Sequence, residues 1–481
     1  MFDWAFVKNQ NRWDLIHLLI IFGWTVLSIR YFWAQTGDDS YIFYRYATQL
    51  IQGYGLQWNP SGDAVEGYSS PLWVLWLGLL GRVSDIPTVA QWTGAVCVIT
   101  ASVLMWTRTR CAWTVWGLSL TMGFHYWGTS GLETSLYVYL FLSVLPLMST
   151  QMIHQNRQWS WMALGLLSLT RPEAPALVLL ILGWRFWQDR DGRIFLVTVP
   201  MLLWLAFRLY TYDDWLPNTY WAKATGDRMH QVLAGLNYAG WLGIPLLLGI
   251  WRSAERMMWM LPLTLWLIVV LGGGDWMWHH RLLVPIIAGI WMLSTQVEGY
   301  GRWLIQGLLC LYWMPLSTIL GVFTGPLDGT YLPIEQRQEG NLIEVSALVA
   351  EEIHAALPPD IRIAINHAGA LPYFLPEASF VDMSALNDRY LAKMEGNLHE
   401  KYDAEYILDQ HPDLIVLNSF VDPSLVGVTF EANYWQGETL LFRHPRFSKE
   451  YVPVAKSWRR IRHGGGIASI WLFQRRQQIL P

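Results

Sequence analysis

The sequence predicts a mainly α-helical, polytopic membrane protein that ends in an α/β domain, and three observations support this fold class. Hydrophobic residues make up 53% of the 481 residues and charged residues 15%, whereas a typical soluble domain contains about 25% charged residues. The 31 tryptophans outnumber the 22 tyrosines and 18 phenylalanines, and tryptophan favours the membrane–water interface. The last third is ordinarily polar and alternates strand and helix patterns. The net charge of −4 gives no electrostatic reason to expect a nucleic-acid partner.

Apolar runs predict about eleven membrane-spanning helices, because a crossing needs about 20 mostly apolar residues. In chain order the runs are Leu15–Trp33, Pro87–Trp106, Ala112–Trp127, Leu132–Met148, Ser160–Leu169, Ala174–Trp187, Ile194–Leu209, Val232–Ile250, Met257–Leu271, Leu282–Leu293 and Leu304–Phe323. A further run, Pro71–Val83, has only 13 residues, and counting it as a span would also disrupt the alternation of basic and acidic loops. We expect it to form a helix that lies at the outer surface of the membrane.

The charges of the connecting loops predict the orientation of the protein. One set of loops is rich in arginine and contains Arg108, Arg110, Arg157, Arg185, Arg190, Arg193, Arg252, Arg256 and Arg302. The loops between them are mainly acidic. Because cytoplasmic loops carry the excess of basic residues, we expect a multi-pass protein of the cytoplasmic (inner) membrane with its N-terminus in the cytoplasm. The acidic loops then face outward.

A change of composition near residue 325 predicts two domains. Residues 1–324 are expected to form a transmembrane domain with a long first outward loop, residues 34–86. Residues 325–481 are expected to form an extracytoplasmic α/β domain, because strand and helix patterns alternate there. Its predicted elements are helices over Asn341–Leu357 and Ala404–Asp409 and strands over Ile361–Asn366, Asp413–Asn418 and Ile467–Phe473.

The first outward loop carries the strongest chemical signal. Asp38 and Asp39 follow the first span directly, and Arg45 comes six residues after Asp39, nearly two helical turns away. Adjacent carboxylates at a membrane surface are costly unless they are hydrated, paired or bound to a cation. An alternative is that the pair caps a helix that starts at Ser40. The residues alone leave both interpretations open.

Further acidic and basic residues recur on the same face, each beside a predicted span. They are Glu66, Glu133, Glu173, Asp275, Arg171, Arg281, His279 and His280. Arginine suits phosphate because its planar fork donates paired hydrogen bonds. Solvated loop residues are the alternative for each acid, and for the histidines we rank packing against Trp276 and Trp278 above metal ligation. Lys223, in the loop Trp215–Asp227, fits either an interfacial helix or the wall of a sugar or phosphate site.

Several strings together resemble the mycobacterial AftB-type arabinofuranosyltransferases, which are membrane glycosyltransferases of the C-type fold. The strings are DDSYIFYRYATQLIQGYGLQWNP, VEGYSSPLW, SGLETSLY, TRPEA, LPNTYWAKATGD, GGDWMWHHRLLVP, NHAGALPYFLP and VDMSALND. They occur in this order from about Gly37 to Asp388. One departure is Asn366, which stands where the family usually has an acidic residue before the Ala-Gly pair.

The resemblance implies an enzyme that transfers a sugar, arabinofuranose in that family, from a polyprenyl-phosphate donor in the membrane lipid to a cell-envelope glycan, with inversion. It implies catalytic roles for Asp38 and Asp39. We rank Asp38 as the base and Asp39 as the residue at a phosphate or a divalent cation, the one cofactor that the resemblance leaves open. The implied substrate-binding residues are Arg45, Glu66, Tyr68, Glu133, Arg171, Glu173, Asn218, Lys223, Asp275, His280 and Arg281.

Two other function classes compete with this hypothesis. A transporter or flippase of lipid-linked sugars would use the same cations and carboxylates without a base. However, the sequence shows no internal repeat, which transporters often have, and the motifs cluster on one face. A non-catalytic envelope or motility-control factor is the second alternative, and the retained Asp38 and Asp39 argue against it.

Overall fold

The structure is a computed structural model that describes residues 12–33, 36–150, 157–224, 226–275, 277–313, 334–396, 400–421, 430–463 and 466–476. The chain divides into two compact units. The helical unit consists of Met1–Ala34, Ala90–Met201 and His230–Tyr331, and the mixed unit consists of Gln35–Val89, Leu202–Met229 and Leu332–Pro481. The mixed unit therefore combines most of the first outward loop with the C-terminal region. The domain boundary predicted at residues 324 and 325 lies outside the described residues and stays a prediction.

The helical unit is built of apolar α-helices joined by short connections. Those that lie wholly or partly in it are Arg12–Phe32, Ile86–Thr109, Ala112–Leu120, Met122–Thr129, Thr134–Val144, Arg157–Leu167, Ala174–Asp189, Val199–Tyr212, Arg228–Ala239, Gly243–Arg252, Met260–Leu271, Val284–Leu293 and Tyr300–Trp313. Short 3-10 helices link several of them at Leu145–Met148, Gly192–Thr198, Gly240–Leu242, Arg256–Trp259, Trp278–Leu283 and Ser294–Gln296.

Four helical stretches among the described residues are long and apolar enough to cross a membrane. They are Asp14–Phe32, Ile86–Thr109, Gly192–Tyr212 and Arg228–Arg252. In the third of these, only 6% of the most apolar window is buried within the protein. An apolar helix with so little protein around it needs an apolar environment such as lipid. This supports a membrane protein, while the predicted number of about eleven crossings stays a prediction.

The segment predicted as one span over Ala112–Trp127 is two helices, because the chain is extended at Thr121. The break frees the backbone carbonyl of Ser119, which accepts hydrogen bonds from Trp24 Nε1 (2.8 Å) and His125 Nε2 (2.7 Å). Side chains thus replace the lost helical bonds, as an apolar environment requires. That this segment crosses the membrane stays a prediction, whereas the break was not predicted, because no proline or charged residue near Thr121 marks it.

The segment Pro71–Val83, predicted not to cross, contains a helix over Pro71–Leu80. Proline occupies its first turn, where the missing N–H has no helical partner in any case. Ten residues extend about 15 Å, half of the hydrocarbon thickness. This length agrees with a non-spanning helix, whose place at the membrane surface stays a prediction.

The mixed unit contains a five-stranded sheet in the order β2-β1-β3-β5-β4. The strands are β1 (Arg362–Ile365), β2 (Ser379–Asp382), β3 (Leu414–Ser419), β4 (Tyr451–His463) and β5 (Gly466–Arg475). The first three are parallel, β5 pairs antiparallel with β3, and β4 pairs antiparallel with β5. The helices of this unit are Asp38–Gln52, Pro71–Leu80, Asn218–Ala224, Ile334–Ala356, Ala370–Phe374, Arg389–Lys393, Ala404–Asp409, Gln436–Arg443 and Pro445–Glu450. The predicted α/β character of the C-terminal region is thereby confirmed.

A buried carboxyl group lies beside the C-terminal end of β3. Glu438 accepts hydrogen bonds from the backbone N–H (2.8 Å) and the side-chain amide (2.7 Å) of Asn418. Asn366, the departure from the family pattern, also bonds to Glu438. Burial raises the pKa of Glu438 to about 8, although these hydrogen bonds act in the opposite direction. The folded protein therefore keeps a proton on Glu438 at neutral pH.

We expect the free energy of unfolding of the mixed unit to fall as the pH rises from about 6 to about 8. The folded pKa of Glu438 is above the ordinary value of 4.5, so the folded state binds the proton more tightly and loses this advantage as the pH approaches 8. The slope contributed by one such group approaches about 1.4 kcal/mol per pH unit. Denaturant unfolding at a series of pH values measures it.

Glu438→Gln should flatten this slope, and Glu377→Gln, at an exposed glutamate of the same unit, should leave it unchanged. Burial also raises the pKa values of Asp38 and Asp382, but only to about 6, so they contribute below this window. A slope that persists in Glu438→Gln would contradict the assignment.

Candidate active site

Asp38 and Asp39 occupy the first turn of the helix Asp38–Gln52, where the positive end of the helix dipole favours a carboxylate. The carboxylate of Asp38 accepts hydrogen bonds from the backbone N–H groups of Gly369 (3.1 Å) and Ala370 (2.8 Å). A Cβ atom on Gly369 would lie 1.9 Å from the backbone oxygen of Asp38, so only glycine permits this approach. Asp39, its neighbour, is half-buried.

Two opposing influences set the protonation of Asp38. Burial raises the pKa of its carboxyl group to about 6, and the N–H groups of Ala370 and Gly369 limit the rise by binding the ionised form. The carboxylate is therefore mostly ionised at pH 7 yet basic enough to take a proton. It is also held in one orientation by two backbone groups. Both properties are those of a general base.

Arg45 lies two helical turns after Asp38, and its buried guanidinium group contacts the other end of the short helix Ala370–Phe374. It donates hydrogen bonds to the backbone oxygens of Leu375 (3.0 Å), Ala378 (2.8 Å) and Pro372. A fourth bond reaches the backbone oxygen of Trp58 (2.6 Å). The structure places the charges of Asp38 and Arg45 at opposite ends of this short helix.

We call this arrangement the helix clamp: Asp38 binds the N-terminal N–H groups of the helix Ala370–Phe374, and Arg45 binds carbonyls at and beyond its C-terminus. Both charges complement the helix dipole. Tyrosine rings fill the space between them, with Tyr41 and Tyr373 at a centroid distance of 5.3 Å and Tyr44 and Tyr373 at 5.9 Å. The clamp joins two strings of the sequence resemblance, DDSYIFYR and NHAGALPYFLP, which are packing partners.

Glu66, Tyr68 and Asn218 belong to a second group in the mixed unit. The carboxylate of Glu66 forms an ion pair with Arg208 (2.5 Å) and accepts a hydrogen bond from Trp204 Nε1 (3.2 Å). Burial raises its pKa, and the bond from Arg208 opposes the rise. The hydroxyl of Tyr68 bonds to Tyr212 (2.9 Å). These partners are structural contacts, so a role in substrate binding for Glu66 and Tyr68 stays a prediction.

Asn218 connects this group to the C-terminal region. Its backbone N–H donates to the backbone oxygen of Glu66 (2.9 Å). Its side-chain amide donates to the backbone oxygens of Ala385 (3.1 Å), Leu386 (2.8 Å) and Asp388 (3.2 Å). Lys223 is exposed on the same short helix, Asn218–Ala224. The predicted substrate contacts of both residues remain untested.

Sequence reasoning missed Arg208, the partner of Glu66. It lies within the apolar stretch Gly192–Tyr212, and an ionisable residue in such a stretch is a functional or structural signal by default. That signal was present in the sequence. What the sequence did not contain was the identity of a partner 142 residues away.

In the helical unit, Arg171 brings together two acids that sequence analysis selected. Its guanidinium donates to Glu133 (2.8 Å) and Glu173 (2.6 Å) and lies 5.8 Å from the ring centroid of Tyr137. Glu133 is 1% exposed, and its Oε2 has no hydrogen-bond partner within the described part of the chain. One guanidinium thus pairs with two carboxylates, and the buried Oε2 of Glu133 can accept a hydrogen bond from a ligand.

Asp275 and Arg281 form a second ion pair of the helical unit, with 2.9 Å between Oδ2 and Nη2. The guanidinium lies 5.7 Å from the ring centroid of Trp127. His280 packs on Tyr238 at a centroid distance of 4.9 Å. Burial lowers the pKa of His280, and the charge of Asp275 opposes this effect, so its imidazole is neutral at pH 7.

The loop that carries this pair has a strained backbone. His279 and His280 have φ angles of 51° and 49°, and Gly273 and Gly274 have φ angles of 87° and 79°. Glycine adopts this left-handed region freely, whereas each histidine there costs about 1–3 kcal/mol. Strain of this kind persists only where the surrounding structure enforces it, and it concentrates at functional sites.

The predicted residues therefore fall into four groups, two in each unit. No group of three or more histidine, cysteine or acidic side chains that could hold a metal ion occurs in the described ranges. A cation at Asp39 would consequently need most of its ligands from water or from a substrate phosphate.

Comparison with known proteins identifies a fold. The crystal structure of ArnT from Cupriavidus metallidurans bound to undecaprenyl phosphate aligns with a TM-score of 0.51 and 12% identity, covering 84% of this chain and 92% of that one. The apo state of the same protein aligns with a TM-score of 0.48 at the same identity and coverage. A family profile described as a domain of unknown function, DUF8728, matches residues 334–471. No curated protein matches the sequence. The chain has the C-type glycosyltransferase fold expected from the sequence.

Proposed function

We propose that this protein is an inverting glycosyltransferase that moves a sugar from a polyprenyl-phosphate donor to an envelope glycan on the outer side of the cytoplasmic membrane. One observation carries the proposal: the fold is similar, over most of both chains, to that of ArnT, which was crystallised with undecaprenyl phosphate. The lipid tail of such a donor can remain in the bilayer while its phosphate and sugar reach the outer surface. Arabinofuranose, from the sequence resemblance, is the sugar we propose.

The buried arginines of the helical unit support binding of the donor head group. Phosphate gains charge as the sugar leaves, and fixed cations stabilise this charge. We assign this role to Arg281, held by Asp275, and to Arg171. Glu133 would accept a hydrogen bond from a hydroxyl of the donor sugar. The acceptor would be Oε2, the buried atom that has no hydrogen-bond partner among the described residues.

Inversion requires one base on the side of the sugar opposite the leaving phosphate. We assign it to Asp38, because its pKa of about 6 suits proton transfer near neutral pH and its backbone bonds fix its direction. Asp39 is assigned to a substrate phosphate or its cation. Arg45 then acts on the position of Asp38 through the helix clamp rather than on the substrate.

The test is to incubate the purified full chain, reconstituted in sealed proteoliposomes, with a panel of polyprenyl-phosphate sugars and an extract of envelope glycan. The proposal expects release of polyprenyl phosphate together with labelled glycan. Movement of intact donor between bilayer leaflets, with no release, would favour the flippase alternative. Absence of both reactions with every donor would favour the non-catalytic alternative.

We expect the C-terminal region to be extracytoplasmic and the N-terminus to be cytoplasmic, since arginine is concentrated in alternate loops. An impermeant maleimide applied to intact cells should label a cysteine introduced at Asp360 and spare one introduced at Arg190, both of which are surface positions. Labelling of both cysteines after permeabilisation is the control for access. The reverse pattern in intact cells would refute the orientation.

A further inference from the structure

The mixed unit contains a cleft of about 570 Å³ that none of the residues assigned above lines. One wall is the turn from Asn59 to Val65, and the others are the edge strand β2, the segment 387–394 and the helix Ala404–Asp409. Its volume lies within the range of about 300–1,000 Å³ that is usual for small-molecule sites.

Two tyrosines form an aromatic wall of this cleft. The ring centroids of Tyr390 and Tyr406 are 4.3 Å apart at an interplanar angle of 31°, and Tyr390 is 49% exposed. Each hydroxyl donates to a carboxylate, Tyr390 to Asp403 (2.8 Å) and Tyr406 to Asp388 (2.9 Å). The rings are therefore fixed before any ligand binds, which lowers the entropic cost of binding. An aromatic face of this kind packs against the C–H face of a sugar ring.

Another part of the wall is also rigid, because Asn59 is bonded twice to one residue of β2. Its amide donates to the backbone oxygen of Phe380 (2.9 Å), and its carbonyl accepts from the N–H of Phe380 (2.8 Å). Ser61 and Gln410 add neutral polar groups to the lining, while the amide of Asn387, which also lines the cleft, is bonded to Asp382 and Tyr46. Amides and hydroxyls can both donate and accept, as sugar hydroxyls do.

The charges of the lining argue against a phosphate ligand. Each cation of the lining already has an acceptor: Lys393 pairs with Asp214 (2.8 Å), Arg362 donates to the backbone oxygen of Gln410 (2.9 Å), and Arg389 donates to that of Tyr212. Asp63 and Asp388 further offset the three positive charges. The cleft thus combines an aromatic wall with neutral hydrogen-bonding groups and little net charge.

We propose that this cleft binds sugar residues of a neutral glycan, the acceptor chain. The role of this glycan as the acceptor rests on the proposed function, whereas its binding to the cleft can be measured without any transfer reaction. Tyr390 is a specificity residue in this proposal, since its exposed ring would contact the sugar.

The experiment measures binding of short oligosaccharides to the full chain in nanodiscs by calorimetry, with no donor present. One set is neutral, and the other carries uronic acids or phosphate. We expect saturable binding of the neutral set, at least about tenfold weaker binding by Tyr390→Ala, and recovery of most of the affinity in Tyr390→Phe, which keeps the ring. Tyr54→Ala, at a tyrosine of the same unit that is 44% exposed and outside the cleft, should bind as the wild type does.

Equal affinity of Tyr390→Ala and wild type, absence of binding by the wild type, or preference for the anionic set would each overturn the inference. The separate transfer assay distinguishes the two proposals. If the protein bound glycan through Tyr390 but had no transferase activity, the glycan-binding cleft would be supported and the proposed enzymatic function would be refuted. If the protein transferred sugar and Tyr390→Ala left the KM for the acceptor unchanged, the enzymatic function would be supported and the acceptor site in the cleft would be refuted.

Discussion

Asp38→Asn is expected to lower the rate of sugar transfer by about 100-fold or more, the usual contribution of a general base. In the wild type, kcat/KM should rise with pH through about 6, because only the ionised carboxylate of Asp38 can accept the proton and burial raises its pKa to about 6. The variant should lose this limb of the pH profile. Transfer from a verified donor, measured at several pH values, gives both quantities.

The pH profile separates an effect on catalysis from an effect on stability, because Asp38 also binds the helix Ala370–Phe374 in the helix clamp. Asparagine keeps one acceptor oxygen for the N–H groups of Gly369 and Ala370, so we expect a loss of stability of about 1 kcal/mol and a folded variant. Asp85→Asn is the matched control. The side chain of Asp85 is exposed and accepts from the N–H of Thr88 (3.1 Å), a capping role that asparagine fills equally well. Near-normal turnover in both Asp38→Asn and Asp39→Asn would contradict the assignment and direct attention to Glu133, Glu173 and Asp275.

Arg45→Met should destabilise the mixed unit by at least about 3 kcal/mol. The substitution removes the donor of Arg45 from four backbone carbonyls. The oxygen of Leu375 still accepts from the N–H of Ala378, and each buried acceptor that is left unsatisfied costs about 1–3 kcal/mol. The substitution also removes the guanidinium from contact with the rings of Trp58 and Phe380, whose centroids lie 5.4 and 4.8 Å from it. Arg45→Lys should recover only part of the loss, because an ammonium group cannot reproduce the planar fork. Thermal unfolding of the purified protein measures the difference.

Arg193→Met provides the comparison for this substitution. The side chain of Arg193 is 86% exposed and pairs with Asp191 at 3.0 Å, and exposed ion pairs contribute about 0–1 kcal/mol. The two variants remove the same group from opposite environments. If Arg45→Met unfolded at the temperature of Arg193→Met, the helix clamp would not stabilise the protein.

The sequence predicted best those elements whose pattern is local. The helix Ala404–Asp409 has its predicted bounds, and β1 and β3 lie within a residue of the predicted strands. β2, over Ser379–Asp382, was missed because its sequence SFVD has only two apolar residues side by side, whereas β1, of the same length, lies in the alternating run IRIAIN. The break at Thr121 was missed because the sequence around it, LSLTMGF, contains no proline or charged residue to mark it.

The candidate site was predictable as residue types but not as partnerships. Conspicuous charges beside apolar runs pointed to Glu133, Arg171, Asp275 and Arg281, and the pairs Arg171–Glu133 and Arg281–Asp275 occur. Asp38 and Arg45 lie on one helix, Asp38–Gln52. A short helix that starts 332 residues after Asp38 lies between their charged groups. Its placement depends on tertiary packing, which the local spacing of residues does not indicate.

The helix clamp also fixes an order of events during translation. The ribosome delivers Asp38 first and Ala370 332 residues later, an interval of roughly 15–65 s at usual elongation rates. Until then the carboxylate of Asp38 lacks both of its backbone donors and Arg45 has only the oxygen of Trp58 to bond, so both charged groups must stay hydrated. The mixed unit thus cannot close before Ala370 and the residues just after it have been made, so packing of the helix Asp38–Gln52 has to wait for a distant part of the chain.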